Sequence, residues 1–368
     1  MKLLQINNIA SHYRSAVFRL IDRELGADFI FGDKVGDIRP MDYSLLSNHV
    51  TVVHNVFLKH AYYQKGVLSS LRRDYDTYLI TGEYRCITTW LLLLCIKLMP
   101  SKKSYLWTHG WLGKEYGVKR LVTKFFFSLA DGVFVYNNRS RQLMIEGGIA
   151  SRKLTTIYNS LDYDTQLAIR KTLRPSDIYE QHFCNNHRTM IFIGRLTRVK
   201  RLEWLIEAIY ILSNRGKKYN LVLIGDGADR ERLENIVMNK GLSSSVWFYG
   251  ASYDEQKNAE FIFNADMCVS PGNVGLTAIH AMMYGCPVIS NDDFDHQMPE
   301  FEAIQKGRTG DFFHNGDVDS LADTISCWFQ SPDCQRENIR QACYHEIDSK
   351  WTPNNQLSIL KSLLLKKR

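Results

Sequence analysis

Short apolar runs alternate with helical periodicities along the whole chain. Apolar runs of strand length lie at 2–6, 50–56, 77–81, 104–109, 132–136, 154–158, 190–194, 220–225, 246–250, 267–271 and 287–290. Between them apolar residues recur at helical spacing, as at positions 202, 205, 206, 209 and 212 of the segment 201–216. Strands that alternate with helices favour α/β layers built on parallel sheets. We therefore predict an α/β chain with two Rossmann-like parallel-sheet domains.

A polar stretch, SDIYEQHFCNNHRT at 176–189, interrupts the pattern and indicates a domain boundary. A chain of 368 residues is long enough for two domains, each with its own core. We predict an N-terminal domain over 1–175 and a C-terminal domain over 186–348. The remaining segment, 349–368, is typical of a helix with a basic tip, which either packs back on the first domain or touches a membrane.

Cysteine usage and the apolar runs suggest where the protein resides. The eight cysteines form no C-x-x-C pair, which fits a reducing compartment and argues against a zinc site. The first residues lack the character of a signal peptide. The most apolar run, 87–99, has 13 residues with a lysine inside, whereas a membrane-spanning helix needs about 20, so we predict a buried helix there. We expect a cytoplasmic protein.

The net charge of +7 comes from the N-terminal half and is concentrated in one segment. Between 85 and 130 eight basic residues face one acid, Glu115, which indicates an anionic partner. Helical spacing over 114–131 predicts a core-facing stripe of Val118, Leu121, Val122, Phe125, Phe126 and Leu129. The opposite face would carry Lys119, Arg120, Thr123, Lys124 and Phe127. A basic face with an outward phenylalanine suits an anionic membrane, and an ordinary solvated face is the alternative.

Cations and glycines follow the strands of the second half, where ligands of open parallel sheets bind. In FIGRLTRVKRLEWL, Gly194 ends a strand, and four cations, Arg195, Arg198, Lys200 and Arg201, precede a helix. This arrangement predicts an anion site, with solvated loop charge as the alternative. In LIGDGADRERL, Gly225 opens a G-x-G that lacks a third glycine, so it indicates a tight turn rather than a dinucleotide fingerprint.

A third strand end, in CVSPGNVGLTAIHAMMYGCPVIS, carries a glycine turn before a helix. Gly272 and Gly275 permit close backbone approach. Amides at the helix start, over Asn273, Val274, Gly275 and Leu276, could meet a phosphate or a sugar hydroxyl, unless the turn is only structural. His280 follows two turns beyond this opening.

Together these motifs resemble a known family. Residues 190–310 resemble the nucleotide-sugar-binding domain of retaining glycosyltransferases of the GT-B fold, specifically glycosyltransferase family 4, through GRLTRVK, GDG and PGNVGLTAIHAMMYGCPVI. WTHGW (107–111) and IYNSLD (157–162) are more weakly similar to the family's first-domain motifs. The resemblance implies two Rossmann-like domains that face a central cleft, with the donor held by the second.

The resemblance also implies roles for individual residues. Arg195 and Lys200 match the pair that holds the donor diphosphate and stabilises the leaving group. His109 matches the residue that orients the transferred sugar or its acceptor, and a structural histidine is the alternative. The family's two glutamates are replaced here by Gly272 and His280. His280 would then contact the nucleotide ribose.

Two acidic features follow β-strand candidates late in the chain, Glu300 and the pair Asp293 and Asp295. Glu300, in a Pro-Glu turn after a strand, is a candidate substitute sugar contact or simply a helix-start acid. Asp293 and Asp295 form a D-x-D, but GT-B enzymes like those this chain resembles use side-chain cations and helix dipoles, so we expect no metal and no cofactor.

The resemblance implies transfer of a hexosyl or N-acetylhexosaminyl group with retention. The donor would be a nucleotide-sugar, a UDP-sugar by family habit. The acceptor would be a polyprenyl-diphosphate-linked sugar or a saccharide at the inner membrane face, in O-antigen or capsule synthesis, with no nucleic-acid partner. Two alternatives are a nucleotide-sugar epimerase of the same fold and a degenerate nucleotide-binding protein. A NAD oxidoreductase lacks its glycine fingerprint here, and a glycosidase lacks a placed carboxylate pair.

Overall fold

A computed structural model describes residues 1–36, 38–332 and 335–365 of the chain. The strands in chain order are β1 Leu3–Asn7, β2 Asp28–Gly32, β3 Val50–Val53, β4 Asn55–Phe57, β5 Tyr62–Gln64, β6 Thr77–Thr81, β7 Lys103–Thr108, β8 Gly132–Val135, β9 Leu154–Thr156, β10 Thr189–Ile193, β11 Asn220–Ile224, β12 Val246–Gly250, β13 Met267–Ser270, β14 Val288–Asn291 and β15 Gly310–Phe313.

The helices are α1 Ser15–Leu25, α2 Ile87–Lys97, α3 Gly117–Leu129, α4 Asn138–Glu146, α5 Tyr163–Thr172, α6 Ile178–Phe183, α7 Leu202–Asn214, α8 Arg230–Asn239, α9 Glu255–Asn264, α10 Leu276–Met283, α11 Val318–Gln330, α12 Arg336–Lys350 and α13 Pro353–Leu364. Three short 3-10 helices contain residues that are discussed below. They are His12–Arg14, Arg198–Lys200 and Pro299–Ala303, which contain Arg14, Lys200 and Glu300.

Within the described residues the strands form two parallel sheets and one hairpin. A seven-stranded sheet has the order β3-β2-β1-β6-β7-β8-β9, and a six-stranded sheet has the order β12-β11-β10-β13-β14-β15. Strands β4 and β5 pair antiparallel. The predicted α/β class with two parallel sheets is confirmed. Strands β2 and β15 were not predicted, because each offers only two or three apolar residues beside glycine and aspartate.

The chain divides into two compact units, residues 1–163 with the segment from Trp351 onward, and Asp164–Lys350. Residues 164–172 were expected in the first domain, but their side chains bind within the second unit. Gln166 donates to Glu255 at 2.8 Å, and Arg170 forms a two-pronged ion pair with Asp348 at 3.0 and 2.8 Å. The observed division therefore lies at the start of α5, after Tyr163, rather than after residue 175.

The core of the first unit lies on both faces of its sheet. Phe18 of α1, Phe29 of β2 and Leu360 of α13 belong to one buried cluster. On the opposite face α2 and α3 contribute Leu92 and Phe126 to a second cluster. Helix α13 thus packs on α1, and Lys361 of α13 forms a 2.7 Å ion pair with Glu24.

Helix α3 turns a different face to the core than its apolar spacing predicts. Val118, Leu121, Val122 and Phe125 are exposed by 76%, 68%, 40% and 55%. Phe127, expected to face outward, is buried together with Thr123. The prediction of an outward Phe127 is therefore wrong.

A buried tryptophan explains this rotation of α3. The indole N–H of Trp111 donates to Thr123 Oγ1 at 3.1 Å, and a buried indole without such an acceptor would be costly. On the same face the Phe126 ring lies 4.9 Å from the Trp90 ring.

Helix α2, predicted to be buried, is only half buried. Leu91 and Leu94 are exposed while Leu92 and Leu93 are buried, and Leu98, one residue beyond the end of the helix, is exposed too.

Candidate functional site

Glycines at two strand ends of the second unit allow backbone to pack on backbone. Gly194 follows β10 and Gly225 follows β11, with φ of +149° and +143°. A Cβ on Gly225 would lie 1.9 Å from the carbonyl oxygen of Gly194, closer than any side chain permits. The two turns therefore need glycine for their mutual contact, as the tight-turn interpretation of G-x-G expected.

Lys200 ends the turn after β10 and faces the glycine turn at the start of α10. Its Nζ donates to the backbone oxygen of Asn273 at 2.7 Å and to Oδ1 of the same residue at 3.0 Å. Burial lowers the pKa of Lys200, the Arg195 charge lowers it too, and Glu300 opposes both, so that the pKa is about 8. Lys200 is therefore a partly desolvated cation near neutral pH.

The four cations after β10 have different partners. Arg198 pairs with the buried Asp229 at 3.0 Å, and Arg201 lies 4.0 Å from Glu203. Arg195 is exposed, and none of the residues that the structure describes forms an ion pair or a hydrogen bond with it. The arrangement leaves Arg195, beside Lys200, as the cation that is available to an incoming anion.

Gly272 cannot be replaced by glutamate in this backbone. A Cβ there would lie 2.0 Å from the Val199 carbonyl oxygen and 2.8 Å from Lys200 Cα. The Gly272 amide also donates to the Lys200 carbonyl oxygen at 3.0 Å. The turn that carries Lys200 thus occupies the space where a side chain at position 272 would begin.

The amides before α10 are only partly available to a ligand. Gln297, which sequence reasoning missed, accepts a hydrogen bond from the Val274 amide at 2.8 Å. Val274 is therefore not a free donor. Among the described residues none accepts from the amides of Gly275 or Leu276, which lie at the positive end of α10. No sequence signal identifies Gln297, which lies 23 residues from Val274.

His280 contacts a carboxylate that the sequence did not indicate. Its Nε2 lies 3.0 Å from Glu255 Oε1, which also accepts from Tyr284 at 2.6 Å and Gln166 at 2.8 Å. Burial would raise the pKa of Glu255, but the contacts with His280, Tyr284 and Gln166 lower it to about 2. His280 of α10 is therefore joined to a carboxylate from α9.

The two acidic candidates, Glu300 and Asp293, differ in burial and in contacts. Glu300, in the turn Pro299–Ala303, is 2% exposed and close enough to Lys200 to raise its pKa. Asp293 contacts His296 at 3.0 Å and Asn315 at 3.1 Å. The described residues contain no cluster of three or more His, Cys, Asp or Glu side chains with the spacing of a metal site.

His109 lies in the first unit, just after β7. Its ring is 5.0 Å from the Tyr136 ring, and it lines a pocket of about 210 Å³ with Arg14 and Trp107. Desolvation by the surrounding protein and the charge of Arg14 lower the pKa of His109, although part of the ring is exposed. The imidazole is therefore neutral at physiological pH. Arg14 follows β1, so the strand-end rule could have identified it.

The structure assembles most of the predicted donor residues at one edge of the second sheet. Gly194, Arg195, Lys200, Gly272, Asn273, Val274, Gly275, Leu276 and Glu300 all lie there. His109 belongs to the first unit, as do Lys119, Arg120 and Lys124 on α3.

Comparisons with known proteins bear on the family and the fold of the chain. Residues 177–345 match the family model described as "Glycosyl transferases group 1". The chain is 25% identical over 239 residues to an uncharacterized 41.2 kDa protein in the cps region of Klebsiella pneumoniae, covering 62% of this chain and 61% of that protein. It is 26% identical over 162 residues to the putative glycosyltransferase EpsD of Bacillus subtilis, covering 43% and 41%. The chain thus spans less than two thirds of either relative.

Solved structures match the chain along its whole length. HepE of Anabaena in complex with UDP superposes with a TM-score of 0.71 at 17% identity, covering 99% of this chain and 100% of HepE. The lipopolysaccharide outer core galactosyltransferase WaaB superposes with a TM-score of 0.72 at 17% identity, covering 100% of both chains. The chain therefore has the GT-B fold of these glycosyltransferases, and its residues 177–345 match the glycosyl transferases group 1 family.

Proposed function

We propose that the protein transfers a glycosyl group from a nucleotide-sugar to a saccharide or lipid-linked acceptor. The observation that carries this proposal is the cation pair at the carboxyl edge of the second sheet. Arg195 has no partner among the described residues, and Lys200 is held beside it by Asn273. Two cations next to the amides of Gly275 and Leu276 suit the diphosphate of a nucleotide-sugar.

In the proposed reaction the bond between the anomeric carbon and the donor's β-phosphate oxygen breaks. The acceptor hydroxyl oxygen forms a new bond to that carbon on the same face, so configuration is retained, and its proton passes to the departing diphosphate. Arg195 and Lys200 stabilise the negative charge that develops on the diphosphate. No carboxylate nucleophile takes part, so the replacement of the family's glutamates by Gly272 and His280 does not prevent turnover.

The names of similar proteins support a choice of donor and pathway. HepE was solved with UDP, which supports a UDP-sugar as donor. One matched protein lies in a cps region and another is named an exopolysaccharide phosphotransferase, which supports a place in surface polysaccharide synthesis. A polyprenyl-diphosphate-linked sugar is the acceptor that this role favours. The site uses cations and amides, so the proposal includes neither a metal nor a cofactor.

The competing functions predict different chemistry at the same edge. An epimerase needs acid–base carboxylates next to the sugar, whereas Glu255 is occupied by three hydrogen bonds and the position of Gly272 excludes a side chain. A degenerate binding protein would keep the cations and lose turnover. Transfer is favoured because the residues that stabilise the leaving group are present.

The experiment that tests the proposal is a thermal-shift screen of the purified protein against nucleotide-sugars, followed by an assay of the best donor. We expect a UDP-sugar to raise the melting temperature, because the diphosphate binds only the folded protein. Product formation with an acceptor, with the anomeric configuration read by NMR, would then establish transfer with retention. The proposal would be contradicted if no nucleotide-sugar stabilised the protein. It would also be contradicted if the donor bound but its sugar was not transferred, whether or not it was epimerised.

We further propose that the exposed apolar face of α3 contacts an anionic membrane. Among the described residues no helix is long and apolar enough to span a membrane. Val118, Leu121, Val122 and Phe125 are exposed, and Lys119, Arg120 and Lys124 lie on the same helix. An apolar face flanked by cations suits insertion among anionic lipid headgroups.

Co-sedimentation with anionic liposomes tests this surface. We expect salt-sensitive binding that falls at least several-fold in Leu121→Glu, because a carboxylate on the inserted face is repelled and costly to bury. Met238→Glu is the matched control, since Met238 is 62% exposed on α8 of the other unit. Equal loss in both variants, or no binding by the unmodified protein, would remove the membrane role.

A further inference from the structure

The pocket beside His109 contains an arginine without an acidic partner. Arg14 ends the turn between β1 and α1, and its guanidinium carbon lies 4.4 Å from the centre of the Trp107 ring and 5.1 Å from that of Phe18. Its Nε and Nη2 atoms are buried, and no described residue accepts a hydrogen bond from them. The indole N–H of Trp107 is buried and unsatisfied in the same way. Three buried hydrogen-bond donors therefore lie at this pocket, and no described residue accepts from them.

Such a group is rare in folded proteins, because buried polar atoms are nearly always hydrogen-bonded. The aromatic rings of Trp107 and Phe18 offer the guanidinium a cation–π contact but no acceptor oxygen. Water could satisfy the N–H groups, but it would leave the buried charge uncompensated. One carboxylate, Glu83, also lines the pocket, but none of the described contacts pairs it with Arg14. Oxygen atoms that carry negative charge would supply the missing acceptor when they enter the pocket.

The rest of the pocket is polar and suits a sugar-sized group. Its volume of about 210 Å³ is lined by Asn7, Ser11, Thr108 and His109 besides Arg14 and Trp107. Asn7 Oδ1 is buried without a donor among the described residues, so it can accept from a hydroxyl. The loops after β1, β6 and β7 meet here, at the carboxyl edge of the first sheet, where parallel sheets bind ligands.

We propose that this pocket binds an anionic group of the acceptor, a carboxylate or a phosphate, through Arg14 and the indole N–H of Trp107. The inference rests on the proposed function in assigning the anion to the acceptor. The donor diphosphate has its own cations, Arg195 and Lys200, in the other unit. A neutral acceptor would leave Arg14 uncompensated, so the substrate class is an acidic sugar or a phosphate-bearing carrier.

Calorimetric titration of the full-length protein in saturating UDP distinguishes an acidic sugar from a phosphate-bearing carrier. The probes are methyl glucuronide, with methyl glucoside as its neutral match, and geranyl diphosphate. We expect one anionic probe to bind and the glucoside to bind at least ten-fold more weakly. Arg14→Met, which keeps the unbranched stem against Trp107, should weaken the anionic probe at least ten-fold. Arg19→Met, a charge removal at an exposed position of α1, should leave it unchanged.

Thermal unfolding without ligand distinguishes a binding arginine from a structural one. Arg14→Met should melt at or above the temperature of the unmodified protein, because it removes a charge that has no partner. A lower melting temperature, equal binding in both variants, or binding of neither anionic probe would overturn the proposal. The titrations are repeated without UDP, so that failure to bind UDP counts against the proposed function alone and the outcome at Arg14 is still decided.

Discussion

Arg195→Ala should weaken donor binding and sharply reduce the rate of transfer. Arg195 is the cation after β10 that no described residue neutralises, so its interaction with a diphosphate is not already spent on an acid. Loss of a charge-assisted hydrogen bond costs about 1.5–3 kcal/mol, which weakens the donor roughly ten-fold or more. Where the charge develops in the transition state, one such donor is worth about 10²–10³ in kcat. Calorimetry with UDP and steady-state kinetics measure the two effects.

Arg198→Ala is the matched control in the same turn. Arg198 binds Asp229, which keeps its two contacts with Arg232, each at 2.6 Å, after the substitution. Donor affinity should therefore stay within about two-fold of the unmodified protein, since the removed charge was directed at Asp229. Equal losses in Arg195→Ala and Arg198→Ala would mean that the donor feels only the summed charge of the turn. Unchanged kinetics in Arg195→Ala would remove its catalytic role.

Gly272→Glu, which introduces the carboxylate that the resemblance implies at this position, should destabilise the protein rather than improve it. The Cβ would overlap the Val199 carbonyl oxygen at 2.0 Å, and that atom belongs to backbone that cannot rotate away. Overpacking of this kind costs about 1–3 kcal/mol or more. In a unit of this size each kcal/mol lowers the melting temperature by roughly 2–4 °C. Donor affinity should fall too, because Lys200 moves with the displaced turn.

Two substitutions isolate the cause of that loss. Gly272→Ala should be nearly as destabilising as Gly272→Glu, since the clash begins at Cβ. Gly216→Ala, at a position with φ of +75° and open space around Cβ, should cost only the backbone strain of about 1–2 kcal/mol. A Gly272→Glu protein that melts normally and binds its donor more tightly would show that the turn yields and that the glutamate's place is still open.

The contact between His280 and Glu255 limits how His280 could bind a donor. The histidine ring is directed to a carboxylate on α9 that also accepts from Tyr284 and Gln166. Because Gln166 belongs to α5, this carboxylate also joins α5 to the second unit. A direct contact between His280 and the ribose stays a prediction. Any such contact must use the imidazole while Nε2 faces Glu255.

Sequence reasoning identified the strand-end motifs well because they are local. Gly194, Gly225 and Gly272 stand at recognisable strand ends, and the cations after β10 are adjacent in the chain. The need for glycine at 225 and 272 comes from the carbonyl oxygens of Gly194 and Val199, which only packing brings close. It failed on α3, where Val118, Leu121 and Phe125 have helical spacing yet face outward. Periodicity identifies an apolar stripe but not the face that packs, and the bond from Trp111 to Thr123 decided that.

The sequence by itself determined the alternation of strands and helices, the glycines at strand ends, and the cations that could meet a diphosphate, because each depends on neighbouring residues. Tertiary structure alone decided which groups are paired. It joined Arg198 to Asp229, His280 to Glu255 and Val274 to Gln297, and it left Arg14 beside Trp107 without an acceptor. Hydrogen bonds and charge pairs form between residues far apart in the chain, so only packing reveals which donors and charges remain for a ligand.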